Sequence, residues 1–457
     1  MKWFAILITF ALLSFPAVVP AGTNDPAHAF TIQQVLSAPF PTELISAPAK
    51  RRVAWVFNAQ GRRNIWVAEP AKDGKSYAAH QITKYSDDDG QDLGDLEWAP
   101  DAESIAYVHG GDLEFSEKPY PNPAEITSGV EQDVWVISLN GGEPRKIGEG
   151  HSPAISPKGD AIAYVLKGQI WLAKLSGDDK PEQLVHTRGE SSSLRWSPDG
   201  GFLAFVSNHG DHRFIGLFSI QSKSLTYVDP STDRDGEPVW SPDGKSLAFL
   251  RTPSSKSNLM FGPKRAGAPW SIHVCDLETR KPQEVWRAAE GRGSVFREVV
   301  AKNQLLWGTG NRLVFPWEKD GWTHLYSVPA TGGNATLLTP GDFEVEYAAQ
   351  SPDGKTVIYS SNQDDIDRRH VWKVSVEGGR PEALTSGTGI ETAPAVAGDS
   401  RTVFVLRSDA KLPMRPAVIE GSAVQDLASN AIPDDFPRDH MVTPQPVIFA
   451  AADGMPI

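Results

Sequence analysis

Trp196-Ser197-Pro198-Asp199-Gly200 is followed at once by the apolar run Phe202-Leu203-Ala204-Phe205-Val206. The phrase returns. Trp240-Ser241-Pro242-Asp243-Gly244 precedes Leu247-Ala248-Phe249-Leu250, and Ser351-Pro352-Asp353-Gly354 precedes Val357-Ile358-Tyr359. Looser copies are Trp98-Ala99-Pro100-Asp101 before Ile105-Ala106-Tyr107-Val108, and Ser156-Pro157-Lys158-Gly159 before Ile162-Ala163-Tyr164-Val165. Proline presets φ at the second turn position, Asp bonds its own backbone, and Gly takes a conformation other residues avoid. The residues that follow are β-branched, aromatic and small, as a buried strand requires. A second strand follows, as in Asp133-Val134-Trp135-Val136 or His370-Val371-Trp372-Lys373-Val374. Then comes a Gly-rich turn and a third strand, as in Gly378-Gly379-Arg380-Pro381-Glu382-Ala383-Leu384-Thr385. Such a unit of three or four short antiparallel strands cannot bury both faces alone, and radial stacking solves that problem. A repeat of about 40–50 residues therefore predicts an all-β chain folded as a WD40-like β-propeller.

Eight units are counted, with first inner strands near Val53, Ile105, Ile162, Leu203, Leu247, Leu313, Val357 and Val403. The sixth and eighth are degenerate. Asn303-Gln304-Leu305-Leu306-Trp307 and Ala397-Gly398-Asp399-Ser400 stand where the turn should be. Seven blades are the alternative, if the first or last unit is something else. The propeller is placed at residues 30–435.

The chain has 457 residues, a net charge of −13 and one cysteine. The acidic balance argues against nucleic acid as a partner. Lys2 followed by apolar Trp3 to Val19 reads as a secretory signal over residues 1–29, with small-residue cleavage sites at Val19-Pro20-Ala21 and Ala27-His28-Ala29. Periplasmic or extracellular placement follows, with no membrane span after cleavage. Cys275 is expected to be a buried, inert thiol. No cofactor or metal is expected. Asp87-Asp88-Asp89-Gly90-Gln91-Asp92 resembles a calcium loop but has Trp98 where the bidentate Glu should be. His209-Gly210-Asp211-His212 reads as a solvated hairpin loop. Asn334-Ala335-Thr336 matches a glycosylation acceptor by chance.

At the other end, Gln445-Pro446-Val447-Ile448-Phe449-Ala450-Ala451 reads as a strand, and Asp453-Gly454-Met455-Pro456-Ile457 as a hairpin turn just begun. Residues 436–457 are accordingly read as a linker and the first strand of a missing α/β-hydrolase domain. With Leu313-Val314-Phe315-Pro316-Trp317-Glu318-Lys319-Asp320-Gly321-Trp322, Asp87 to Gln91 and Ser361 to His370, this pattern resembles the prolyl oligopeptidase (S9) family of serine peptidases, in its dipeptidyl peptidase IV and acylaminoacyl-peptidase branch. The blade phrase is shared with TolB-like propellers. A stand-alone periplasmic propeller that binds a protein or peptide is therefore the alternative.

The resemblance implies a serine exopeptidase whose propeller gates short peptides, with its own C-terminal hydrolase domain as partner. The Gly-Xaa-Ser-Xaa-Gly elbow of such enzymes is not found in this sequence. Gly150-His151-Ser152-Pro153-Ala154 and Gly398-Asp399-Ser400-Arg401-Thr402 both fail at the last position. No catalytic residue is assigned, and the chain alone is expected to be inactive. In the relatives, acidic propeller residues bind the substrate's free amine. The candidates here are Glu114, Glu117 and Glu131, with Glu125, in a long insert from about Gly110 to Gln132.

Overall fold

The computed structural model describes residues 30–457 except 75, 115, 117–129, 178, 255–266, 292, 422 and 456. The strands form eight four-stranded antiparallel units, contiguous in sequence and spanning 40–81, 93–149, 151–183, 190–228, 234–287, 306–337, 345–383 and 390–426. We number these blades one to eight. Blades four and five are linked by a single parallel bridge, Arg213 with Arg234.

The apolar side chains explain the ring. Eight buried clusters each straddle two successive blades, and one of them packs Val53, Trp55 and Phe57 of blade one against Phe404 and Val418 of blade eight. Eight junctions close a ring of eight blades, which removes seven as a count. The blade-one/blade-eight seam shares no strand. It is closed by this packing, by Ser46 Oγ donating to the Val396 carbonyl at 2.6 Å, and by Arg51, which pairs with Glu420 and Asp399 and donates to Thr402 Oγ1.

Where it occurs, the turn phrase joins the first and second strands of its blade. The Ser197 hydroxyl donates to Asp199 Oδ1 at 2.6 Å and accepts the Phe202 N–H at 2.9 Å, while Gly200 N–H closes the turn on the Ser197 carbonyl. Ser241 and Asp243, and Ser351 and Asp353, repeat this. These bonds hold all three Asp carboxyls below their ordinary range, with the serine hydroxyl as the largest cause. Gly200 sits at φ +67°, the left-handed region. The tryptophan of the phrase ties blades together. Trp98, Trp196 and Trp240 donate their indole N–H to the carbonyls of Ile45, Ala154 and Arg195 in the preceding blade.

Three expectations need correction. The apolar runs at Val53, Ile105, Ile162 and their counterparts are the second strands, not the innermost ones. They are the most buried because they are flanked by strands on both edges and blades on both faces. The inner strands precede the turns. In blade six the turn is Thr309–Asn311, and Leu306–Gly308 is already strand, so the segment 303–307 is not the degenerate turn. The segment from Gln445 to Ala451 joins no blade. Phe449 exchanges two backbone hydrogen bonds with Ile457 in a small isolated hairpin, leaving Val447, Ile448 and Phe449 exposed. Without neighbouring strands there is no sheet for it to join. The signal segment 1–29 lies outside the described residues. Among the described residues, no helix is long and apolar enough to cross a membrane.

Candidate functional site

Strand alternation sorts the loops onto two faces. Each inner strand starts where the chain arrives from the previous blade, and each fourth strand ends there. The loops between second and third strands lie on that same face, and the Ser-Pro-Asp-Gly turns lie on the other. The chain enters blade one and leaves blade eight on the loop face, where Phe30 and His440 approach with ring centroids 6.0 Å apart. On this entry face lie the described arms of the blade-two insert, 110–114 and 130–132, and the two ends of the blade-five connection, 253–254 and 267–270.

The stem of the blade-two insert needs glycine. At Gly110, φ +109°, a Cβ would lie 2.0 Å from the Glu131 carbonyl oxygen. Glu131 therefore leaves the insert at its base. Its carboxylate pairs with Lys146 at 3.2 Å, and Lys146 also holds Asp133 at 2.7 Å. Glu114 is exposed on the other arm, where its N–H donates to Asp112 Oδ1 at 2.8 Å. Glu117 and Glu125 fall outside the described residues. Among the candidates, the structure thus places Glu114 and Glu131 on opposite arms of one insert.

Next to this stem, the acidic loop 87–92 connects blades one and two. Asp89 Oδ1 accepts the Gln91 N–H, Asp92 faces Arg63 at 3.7 Å, and Asp89 faces His109 at 3.8 Å. Burial pulls His109 below the ordinary imidazole range despite Asp89. No group of three metal-ligating side chains occurs among the described residues. His209 and His212 stack at 5.1 Å in the blade-four hairpin, with His212 on Asp211 at 2.7 Å, as a loop. Arg369 pairs with Glu346 and His370 with Glu391 rather than with the neighbouring aspartates. Cys275 is buried, and burial raises its thiol. Two clefts open on this face. One, of about 380 Å³, lies between blades six and seven and is walled by Trp322, Phe343, Asp342 and Asp364. The other, of about 590 Å³, holds Glu290 and Glu318.

The channel wall carries a feature that the strand pattern did not reveal. The inner strands of blades one, two, three, four, five and eight bulge at a non-glycine residue with φ between +49° and +57°: Glu43, Asp95, Ser152, Ser193, Glu237 and Ala393. Where that residue is acidic, its carboxylate clasps the next blade. Asp95 accepts the Ser152 N–H at 3.1 Å, Glu237 accepts the Gln304 N–H at 2.8 Å, and Glu43 accepts from the backbone at Leu96 and Asp95. Burial in the crowded wall pushes both Glu43 and Asp95 upward, and Asp95 adds to the rise at Glu43. Ser152 Oγ lies 2.9 Å from His151 Nδ1. The Asp95 oxygen nearby accepts the Ser152 backbone N–H, so these residues form a bulge clasp rather than a nucleophile, base and orienting acid.

These features have counterparts among known proteins. Residues 264–414 match the family described as the dipeptidyl peptidase IV N-terminal region. The chain is 23% identical over 289 residues to mouse prolyl endopeptidase FAP, covering 50% of this chain and 37% of that one. It is 23% identical over 311 residues to a probable dipeptidyl peptidase 4 of Arthroderma benhamiae, covering 65% and 37%. The crystal structure of Porphyromonas gingivalis dipeptidyl peptidase 4 shares the fold, with a TM-score of 0.63 and 14% identity over 93% of this chain and 66% of that chain. The chain thus spans little more than a third of the length of the two curated peptidases.

Proposed function

The chain belongs to the dipeptidyl peptidase IV-like N-terminal propellers of the prolyl oligopeptidase (S9) family, and from that premise we propose that it is the non-catalytic gate and substrate filter of an exported peptidase. The partner would be a hydrolase domain seated on the entry face, and the substrates short peptides. The observation that carries this reading is the arrangement of that face. Both ends of the ring and the described arms of the blade-two insert, with Glu114 on one and Glu131 on the other, lie on it, so a domain joined at either end would sit beside those arms. A peptide held there by its free amine would lie between the insert and the domain. Glu114 is the better amine partner of the two described candidates, because Glu131 already has Lys146 beside it. A surface carboxylate–ammonium pair contributes only about 0.2–1 kcal/mol, so the amine needs the enclosed interface to be well recognised.

The test is calorimetric titration of the chain with a short peptide carrying a free N-terminus and with its N-acetylated twin. Binding of the first, loss of binding for the second, and weakening by Glu114→Gln support the reading. Equal binding of both forms defeats amine recognition. Turnover of a peptide substrate by the purified chain, blocked by a serine-directed inhibitor, defeats the non-catalytic assignment.

A further inference from the structure

The segment before the first strand of blade six does not follow the channel wall. Residues 298–304 cross the channel instead. On one side Val300 exchanges backbone hydrogen bonds with blade seven, donating to the Glu346 carbonyl at 2.8 Å and accepting from the Ala348 N–H at 3.1 Å. On the other, the Gln304 N–H donates to Glu237 of blade five. The Lys302 carbonyl accepts from the Arg195 guanidinium of blade four at 2.9 Å, and Lys302 Nζ reaches Glu97 of blade two at 2.7 Å. Blade two stands opposite blade six in a ring of eight, so this ion pair spans the bore. The loop is closed on itself by the buried Gln304 side chain, which accepts the Val299 N–H at 3.0 Å and donates to the Val299 carbonyl at 2.9 Å. A buried amide satisfied on both its atoms specifies one loop conformation.

We propose that residues 298–304 are a built-in stopper that closes the propeller channel to peptides, making the entry-face chamber blind. Peptide then reaches that chamber only past its outer edge, between propeller and partner, and not through the axis. The consequence for substrates rests on the gate reading above, whereas the closure itself does not. Four anchoring blades and the Gln304 clasp hold the loop, so the stopper is a fixed part of the ring.

The test uses a reporter thiol in the bore. Ser193 is the blade-four bulge residue, two positions from Arg195, and Cys275 is buried and supplies no competing signal. The Ser193→Cys chain is labelled with N-ethylmaleimide and with a maleimide joined to a short peptide. Ser222→Cys, in an exposed turn, gives the reference ratio. Residues 298–304 occupy the bore beside this strand, with the Lys302 carbonyl on Arg195, so closure predicts that a peptide reagent arriving from either face is disfavoured at position 193 by more than about tenfold relative to position 222. Adding Lys302→Ala and Gln304→Ala returns the ratio towards the reference. An unaltered ratio at 193 in the otherwise native chain overturns the proposal, and that comparison stands even if the double variant fails to fold. A high ratio that survives in a folded double variant assigns the closure to another element and also overturns it. The labelling reads the bore whatever the chain binds, so its failure is separable from failure of the gate reading, which the peptide titration tests.

Discussion

The two faces of the ring are built on opposite logics. On the turn face, blades four, five and seven reuse one set of bonds, a serine that donates to Asp and accepts the N–H five residues on. On the entry face the loops vary widely in length, although blades one and three share a two-residue turn, Gln60-Gly61 and Lys167-Gly168. Blade two places more than twenty residues in the equivalent connection. At its entry-face end, blade five buries charge. Asp235, fully buried, takes two hydrogen bonds from Arg251 at 2.7 and 2.9 Å, and Arg251 also holds Asp229, which faces His273. Local chemistry fixes the turn face, so its sequence repeats. Long-range pairing fixes the entry face, which leaves it free to diverge.

The sharpest way to break this contrast is at Arg251. Arg251→Met removes the partner of a buried carboxylate and should cost about 3–5 kcal/mol in urea unfolding, whereas an exposed ion pair would cost under about 1 kcal/mol. A loss in the smaller range would mean that the entry-face network is no more than surface pairing. Next in size, Ser197→Ala strands the Phe202 N–H and frees Asp199. A loss of about 1–2 kcal/mol is expected, read as a lower urea midpoint at unchanged slope.

Acidity separates the faces by sign. Burial pushes Asp235 up to about 6 in spite of Arg251. The folded chain therefore binds more protons there than the unfolded chain between pH 4 and 6, and this group makes stability fall as pH rises through that window. The turn-face carboxyls Asp199, Asp243 and Asp353 lie below their ordinary value. Their contribution is complete above the unfolded pKa near 3.9 and is lost as pH falls through the lower folded values. Thermal melts from pH 2 to 7 should show Asp235→Asn flattening only the upper window and Asp199→Asn only the lower. A shared change would erase the distinction. The smallest effect expected is that of Gly200→Ala. Space for the Cβ exists, its nearest neighbour being Ser156 Oγ at 3.4 Å, so only the cost of φ +67° remains, about 1 kcal/mol.

The blade count and the all-β class were legible because each unit advertises itself within a few residues. The turn serine, proline, aspartate and glycine all act on one another at short range, and Trp196 and Trp240 stand at a constant offset from them. Blade one lacks the phrase and shows itself only by its strands, near Val53 and at Asn64 to Val67. Its turn, in which the Ala47 N–H bonds the Arg52 carbonyl as Ser197 does Phe202, carries Ala47-Pro48 and no Asp-Gly. The channel features were not legible. Glu43, Asp95 and Glu237 show nothing unusual in sequence, because their positive φ answers to a bulge and to an N–H in the next blade. Lys302 and Glu97 are 205 residues apart, and no local pattern announces their meeting. Residues 303–307 looked like a failed turn because the loop's real partners lie in blades two, four, five and seven. For Glu114 and Glu131, composition marked the insert but not the roles. Lys146, which distinguishes the two, sits on a different strand.

The unshared seam between blades one and eight has a mechanical meaning. The chain enters blade one and leaves blade eight on one face, beside that seam, so a pull on those two points loads it directly. Within a blade, strands are joined by ladders of backbone hydrogen bonds. At the seam, the described residues supply only side-chain contacts, the Ser46 bond and the Arg51 cluster. Under tension the ring should part there first, like a clasp on a bracelet, and the blades, each one continuous piece of chain, would then give way singly.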